Sequence, residues 1–443
     1  MSLSRVGCTY ENQSSKFYRN DQDFQRQFFK IYESRLKQLG DLLKHKINAK
    51  HGTKYPIKMI SDLSEDDPAK CILIGNIYKH MELKPSILKE IAEENQLAPL
   101  PPPQDYNQPS DEIILEDNIQ RIKLCGKINT AELVTGIVVA VLGYTEGAGK
   151  FQVDELILYE SGPEVPLKVL DISPLLVFIS GIDLANTETP SLPLDLFQQW
   201  AYGNLEMGSS PTQYCPSNVV RIVIAGNSTR ASAPKKQKNV NSTNLRAIDT
   251  KGMVEGVRTF DEFLFHLSQS VAVDVMPGEY DPSNVMLPQQ PFHHCLFPRS
   301  SVNRALTGVP NPYQFSIEDR IILGTSGQNI KDIMKFSTTD DPLECMKNTL
   351  KWSHLAPTCP DTLPCYPYYD QDPFVITECP HVYFSAHDSN VLLTEIYENS
   401  NSQKTRLVCI PSFQKSQTVA IVNLNTLECD GMSFSTAIDM DEE

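Results

Sequence analysis

Near residue 170 the spacing of apolar residues changes its rule, and that change limits the chain to a fold with two unlike cores. Upstream, residues 120–128, 133–143 and 150–159 are short segments, apolar in alternation or nearly without break, separated by Gly126, Asn129 and a turn at 146–149. Period-two segments at this spacing predict the strands of a small closed β-barrel. Downstream, strand-like runs at 175–179, 219–225 and 271–276 alternate with helical patterns at 254–270 and 341–352. Val257, Phe260, Leu264, Leu267 and Val271 recur at gaps of three and four, and Asp341 followed by Pro342 supplies a helix start. Closing strands are expected at 406–410 and 418–424. Strands alternating with helices predict an α/β domain.

A length of 443 residues fits two or three domains at about 150 residues each. The expected order is an N-terminal helical segment (1–52), a barrel domain of the OB type (53–168), an α/β domain (169–435) and an acidic, disordered tail (436–443). Phe24, Phe28, Tyr32, Leu36, Leu39 and Leu43 would form the apolar stripe of the N-terminal helix, over 21–46. A strand-like run at 71–78, a helix at 84–94 and a proline-rich connector at 99–109 lead into the barrel. Two polar stretches, 186–218 and 227–251, interrupt the α/β pattern. Within 227–251, Lys235, Lys236 and Lys238 resemble a short nuclear import signal, although a solvated loop is the simpler reading.

Charge and cysteine usage exclude several functions. A net charge of −16 argues against broad binding to nucleic acid, which needs Lys and Arg to neutralise phosphates. Residues 111–160 of the barrel carry nine acidic against four basic side chains, so single-strand binding is not expected there. The eleven cysteines contain no Cys-x-x-Cys pair, which favours reduced thiols; Cys359 and Cys365 read as small core or loop residues. Tyr144 and Phe151 spoil a phosphate loop around Gly147 to Lys150, which reads as a hairpin turn. No apolar run approaches the roughly 20 residues of a membrane span and the N-terminus lacks a signal-peptide core, so a soluble, intracellular protein is expected, with no membrane partner.

The turns that follow the α/β strands carry the sharpest functional signal. Their order and context resemble calcineurin-like phosphoesterases, which hold two metal ions on Asp-x-His, Gly-Asp, Gly-Asn-His, lone His and Gly-His-x-His turns. Here Gly181 stands at the first aspartate place and Asp183 at the histidine place. Asn227 replaces the bridging carboxylate with an amide, which brings no charge to offset two dications. Glu279 takes the asparagine place and Tyr280 that of the catalytic histidine, so the general acid is missing. His387 keeps one histidine of the last turn and its partner is gone. Asp281, His354 and His381 remain as ligand-type residues, but Asp281 before Pro282 should cap a turn and the histidines should satisfy backbone groups at proline-rich bends. Gly324 to Gly327 lacks the spacing of a nucleophile elbow. No catalytic residue, cofactor or metal ion is expected.

A barrel followed by such a stripped domain resembles the B subunits of eukaryotic replicative DNA polymerases, and within them the small-subunit family of DNA polymerase delta. The segments that carry the resemblance are 81–88 (MELKPSIL), 274–291 (DVMPGEYDPSNVMLPQQP), 323–329 (LGTSGQN), 354–363 (HLAPTCPDTL) and 380–384 (PHVYF), and the match covers about 17–430. It departs in the two polar loops and at Ala386-His387, where Gly-Asn is more usual. The resemblance implies a nuclear, non-catalytic scaffold for DNA replication and repair. Its α/β domain would grip the cysteine-rich C-terminal region of the catalytic subunit, and its barrel side the third subunit, with DNA reached indirectly through the complex. The alternative is a metal-dependent phosphoesterase or nuclease with a degenerate site.

Overall fold

A computed structural model describes residues 4–19, 25–64, 69–84, 106–147, 149–160, 167–186, 191–205, 214–230 and 250–435. Phe24, most of the expected helix at 84–94, residues 99–105 of the connector, Lys235, Lys236, Lys238 and the 436–443 tail lie outside the described residues. A short strand β1 (Tyr10–Asn12) and helix α1 (Phe29–His51) come first. β2 (Cys71–His80), β3 (Glu112–Glu116), β4 (Arg121–Gly126), β5 (Val138–Gly147) and β6 (Lys150–Ile157) close into a barrel in the order β2-β3-β4-β6-β5. β7 (Leu175–Ile179), α2 (Leu192–Ala201), β8 (Val219–Ala225), α3 (Thr250–Leu267), β9 (Ala272–Met276), β10 (Leu306–Gly308), β11 (Tyr313–Ile317) and β12 (Arg320–Thr325) follow. The chain continues with α4 (Gln328–Phe336), α5 (Pro342–Lys351), β13 (Val382–Ala386), β14 (Leu393–Glu398), β15 (Lys404–Ile410), α6 (Phe413–Ser416), β16 (Thr418–Asn423) and β17 (Cys429–Ser433). No described helix is long and apolar enough to cross a membrane.

The chain divides into two compact units that cut across its sequence segments. The barrel unit spans Asp23–Pro163 and Asn329–Cys379, and the sheet unit spans Met1–Gln22, Glu164–Gln328 and Pro380–Glu443. Residues 329–379 therefore pack with the barrel although the sequence places them inside the α/β segment.

In the barrel unit, β5 is apolar without break from Val138 to Leu142 because both its faces are covered there. Val138, Ala140 and Leu142 join Leu39, Leu43 and Ile47 of α1 in one cluster, while the alternate residues Val139 and Val141 face the barrel interior. The buried stripe of α1 runs through Ile31, Arg35, Leu39, Leu43 and Ile47 rather than through Phe28, which is 43% exposed. The stripe turned because Arg35 is buried. Its guanidinium donates to Asp372 Oδ2, Gly136 O, Pro357 O and Cys359 O, each at 2.8 Å. Asp372 also meets His354 Nε2 at 3.0 Å and accepts Phe374 N–H at 2.9 Å. Burial opposes ionisation of Asp372, but Arg35 and His354 reverse that and hold its carboxyl well below the usual range. One cation thus joins α1, the barrel and the 353–379 segment. Lys79, also buried, ties β2 to the end of α4 through Phe336 O at 2.9 Å and reaches Asn107 Oδ1 at 2.7 Å.

In the sheet unit, two mixed six-stranded sheets face each other, β1-β11-β12-β13-β15-β14 and β10-β9-β8-β7-β16-β17. Strand β7 shows why its sequence LLVFI is wholly apolar. Leu176 and Phe178 enter the core between the sheets, while Leu175, Val177 and Ile179 pack under α2 and α3 with Phe197, Trp200, Phe260 and Leu264. Helix α2 corrects the reading of 186–218 as a polar interruption: Phe197 and Trp200 are buried, one helical face concealed among Gln, Pro and Asp. Back in the barrel unit, Asp341 caps α5, accepting Leu343 N–H at 2.9 Å.

Asp274 on β9 is fully buried between Arg221 (2.5 Å) and Tyr313 Oη (2.7 Å). Burial raises its carboxyl to about 6, against the lowering effect of Arg221 and Tyr313. A folded-state value above the unfolded 3.8 means that the folded chain binds the proton more tightly. Stability should therefore fall as pH rises from about 4 to 6 and level off above, and Asp274→Asn should remove this component of the slope in urea unfolding of the full chain. Arg35→Met strands the buried Asp372 carboxylate and should cost about 3–5 kcal/mol by the same assay, whereas Lys44→Ala, which breaks an exposed pair, should leave the unfolding midpoint unchanged.

Candidate functional site

Parallel strands point their carboxyl ends the same way, and ligand sites of such sheets gather on the turns beyond them. In the sheet unit β7, β8 and β9 run parallel, as do β12, β13 and β15. The turns after these strands hold Gly181, Asp183, Asn227, Glu279, Tyr280 and His387, the positions singled out by sequence.

The turns are bonded to one another. Beyond β7 and β8 the chain continues a ladder in which Gly181 N–H donates to Gly226 O (3.1 Å), Leu184 to Ser228 O (3.1 Å) and Ala185 to Thr229 O (2.7 Å). Ser180 Oγ donates to Ala225 O at 3.1 Å and Gly226 O at 3.2 Å. Between the β8 and β9 turns stands Asp281, buried, accepting Thr229 N–H (2.9 Å), Thr229 Oγ–H (2.7 Å), Gly278 N–H (2.9 Å) and Ser228 N–H (3.4 Å). Burial pushes its carboxyl up and these donors pull it back down. Asn227, in the left-handed region at φ 55°, accepts Tyr280 N–H on Oδ1 at 3.3 Å. Ser326, beyond β12, donates to Pro277 O at 2.6 Å, and Gln289 donates to Gly278 O at 3.0 Å.

Room is as scarce as charge. A Cβ on Gly278 would lie 2.3 Å from Asn227 N, and one on Gly226 would lie 2.8 Å from Gly278 Cα. Gly181, at φ 63°, abuts Ser412: a Cβ there would lie 2.8 Å from Ser412 Oγ and 3.1 Å from its Cα, on a backbone conformation that disfavours a side chain. Asp183 is buried at φ 59°, Glu279 is exposed, Tyr280 is half-buried, and His387 is half-buried with its N–H on Ile410 O at 2.9 Å.

The remaining ligand-type residues are held elsewhere. His354 belongs to the barrel unit, with Nδ1 accepting Ala356 N–H at 3.2 Å and Nε2 on Asp372. His381 precedes β13, at the end opposite its turn, and accepts Ile321 N–H on Nδ1 at 2.9 Å. Among the described residues, the one group of three or more His, Cys, Asp or Glu within reach of a single ion is His293, His294 and Cys295, which includes none of these positions. Sequence reasoning missed the closing partners Ser326, Gln289 and Ser412: a hydroxyl or amide aimed at a distant carbonyl has no local signature.

Comparisons with known proteins agree with the two-part sequence. Residues 27–156 match the family model described as the DNA polymerase delta subunit OB-fold domain, and residues 176–391 match that of the alpha/epsilon DNA polymerase B subunit. The chain is 45% identical to the DNA polymerase delta subunit 2 of Drosophila melanogaster, over 98% of this chain and 99% of the relative. It is 37% identical to the DNA polymerase delta small subunit of Oryza sativa subsp. japonica over 99% and 100% of the two chains. It is 29% identical to that of Saccharomyces cerevisiae over 92% and 89%.

Two substitutions probe the interlocked turns by thermal or denaturant unfolding. Asp281→Ala leaves four donors without their acceptor and should cost about 3 kcal/mol. Gly278→Ala forces the Asn227 turn apart and should cost about 1–3 kcal/mol, with no gain of metal affinity. With residues 27–156 matched to the delta OB-fold domain, residues 176–391 to the B-subunit domain, and relatives alike from end to end, the chain belongs to the DNA polymerase delta small-subunit family.

Proposed function

We propose that this chain is the non-catalytic accessory subunit of a nuclear DNA polymerase delta, a scaffold that joins the catalytic subunit to the third subunit for replication and repair synthesis. The observation that carries the reading is the bonded state of the strand-tip turns. A calcineurin-like phosphoesterase needs several anionic and imidazole donors converging on two ions about 3.5–4 Å apart. Here Gly181, Asn227 and Tyr280 stand in ligand or catalytic places, and the buried carboxylate between the β8 and β9 turns, Asp281, is spent on backbone N–H groups and the Thr229 hydroxyl. The sheet unit is then an inactivated phosphoesterase domain, kept for the surface it presents to the cysteine-rich C-terminal region of the catalytic subunit.

The barrel unit offers another surface. A groove of about 520 Å³ lies beside α1 and β2, lined by Phe29, Tyr32, Glu33, Tyr78, Glu116 and Asp117 among others. Phe29 is 56% exposed. Aromatic faces among carboxylates suit a basic, partly apolar protein segment and repel phosphate, so the third subunit is the proposed occupant and DNA is not.

Co-expression of the full chain with both other subunits tests the assignment. The Glu33→Lys/Asp117→Lys variant should lose at least about tenfold in affinity for the third subunit while still recovering the catalytic subunit. Unchanged binding would remove the groove from the account. The purified chain should not hydrolyse bis(p-nitrophenyl) phosphate with Mn²⁺; hydrolysis abolished by His387→Ala would instead establish a metallophosphoesterase.

A further inference from the structure

The geometry points to a surface zinc site at His293, His294 and Cys295, a trio that includes none of the phosphoesterase positions and is used by nothing else described above. The three side chains are exposed, and each offers one ligand atom within 4.8 Å of the others. Three consecutive residues on a helical turn normally fan outward. Here they do not, because His293 is extended (φ −69°, ψ 134°) while His294 and Cys295 open a single 3₁₀ turn. The His293 ring folds back over that turn, accepting Cys295 N–H on Nδ1 at 3.3 Å and lying 4.3 Å from the His294 ring.

The turn is clamped at both ends. Phe292 and Phe297 are 9% and 5% exposed, pack edge-to-face at 5.4 Å, and Phe297 meets Phe260 of α3 at 5.5 Å. Buried aromatic anchors on either side fix the backbone from which the three donors rise, which is the preorganisation that a binding site requires. Of the eleven cysteines, Cys295 is the exposed one, so its sulfur is open to solvent and to an ion.

Donor chemistry selects the ion. Two imidazoles and a thiol without a carboxylate suit Zn²⁺ and exclude Mg²⁺, Ca²⁺ and Mn²⁺, which take oxygen ligands. Bonds of about 2.0–2.3 Å in a tetrahedron place donors roughly 3.3–3.8 Å apart, so the trio must close by about 1 Å, within the rotamer freedom of exposed side chains. His293 gives up its long bond to Cys295 N–H in the process, and the thiol leaves its proton to solvent on binding. Three protein donors leave the fourth tetrahedral position for water or for a side chain of another subunit.

The full chain, stripped of metal, is titrated with Zn²⁺ against a chromophoric chelator and separately with Co²⁺. The expected result is one Zn²⁺ per chain and a thiolate-to-Co²⁺ charge-transfer band. Zn²⁺ should also slow alkylation of Cys295 by at least about tenfold, the scale on which metal-site contacts act. Cys295→Ser and the His293→Ala/His294→Ala variant should abolish the band while keeping the wild-type melting temperature, since all three side chains are exposed. Failure to take up one equivalent of Zn²⁺, or a band that survives Cys295→Ser, overturns the proposal.

Discussion

A single buried carboxylate governs the functional end of this molecule. Asp281 draws Ser228, Thr229 and Gly278 onto itself and so locks the turns of β8 and β9 together. With those turns locked, neither Gly226 nor Gly278 has room for a Cβ, and Ser326 can reach Pro277 O. A carboxylate that satisfies four donors has little left to offer a metal, which is what the proposed non-catalytic role asks of these turns.

The same economy recurs wherever distant segments meet. Arg35 gathers three carbonyls and Asp372; Arg320 donates to Leu424 O at 3.0 Å and Glu318 O at 2.7 Å; Arg5 bridges Ser270 O, Pro216 O and Val219 O. A guanidinium has five donors in a fixed fork, which suits it to collecting the carbonyls of loops that no strand can pair. Two of the sequence segments that carry the family resemblance fall on cross-links between distant segments. LGTSGQN supplies Ser326 and Asn329, whose amide reaches Leu355 O at 2.6 Å, and HLAPTCPDTL supplies His354 together with the Pro357 and Cys359 carbonyls. Their shared chemistry is structural, which suits a scaffold.

How much of this was legible beforehand depends on the range of the interaction. Strands 175–179 and 219–225 emerged residue for residue, because both faces of β7 and β8 are buried and their apolar runs are unbroken. The Asp341 cap and the turn-capping role of Asp281 were readable for the same local reason. Helix α2 was not, since Phe197 and Trp200 are its two large anchors in a polar stretch. Nor was the membership of 329–379 in the barrel unit, which rests on Arg35 and Lys79 bonding to residues hundreds of positions away. Of the candidate site, the identities of the turn residues could be read directly; the bonds that join those turns could not, because a Ser or Gln facing a remote carbonyl looks like any other polar residue.

Anomalous diffraction from crystals of the full chain grown with excess Mn²⁺ tests whether these turns hold metal. No Mn²⁺ peak is expected among the turns of Gly181, Asn227, Gly278 and His387, with the Asp281 bonds intact. A pair of Mn²⁺ ions there, about 3.5–4 Å apart with Asp281 or His387 as ligands, would contradict it.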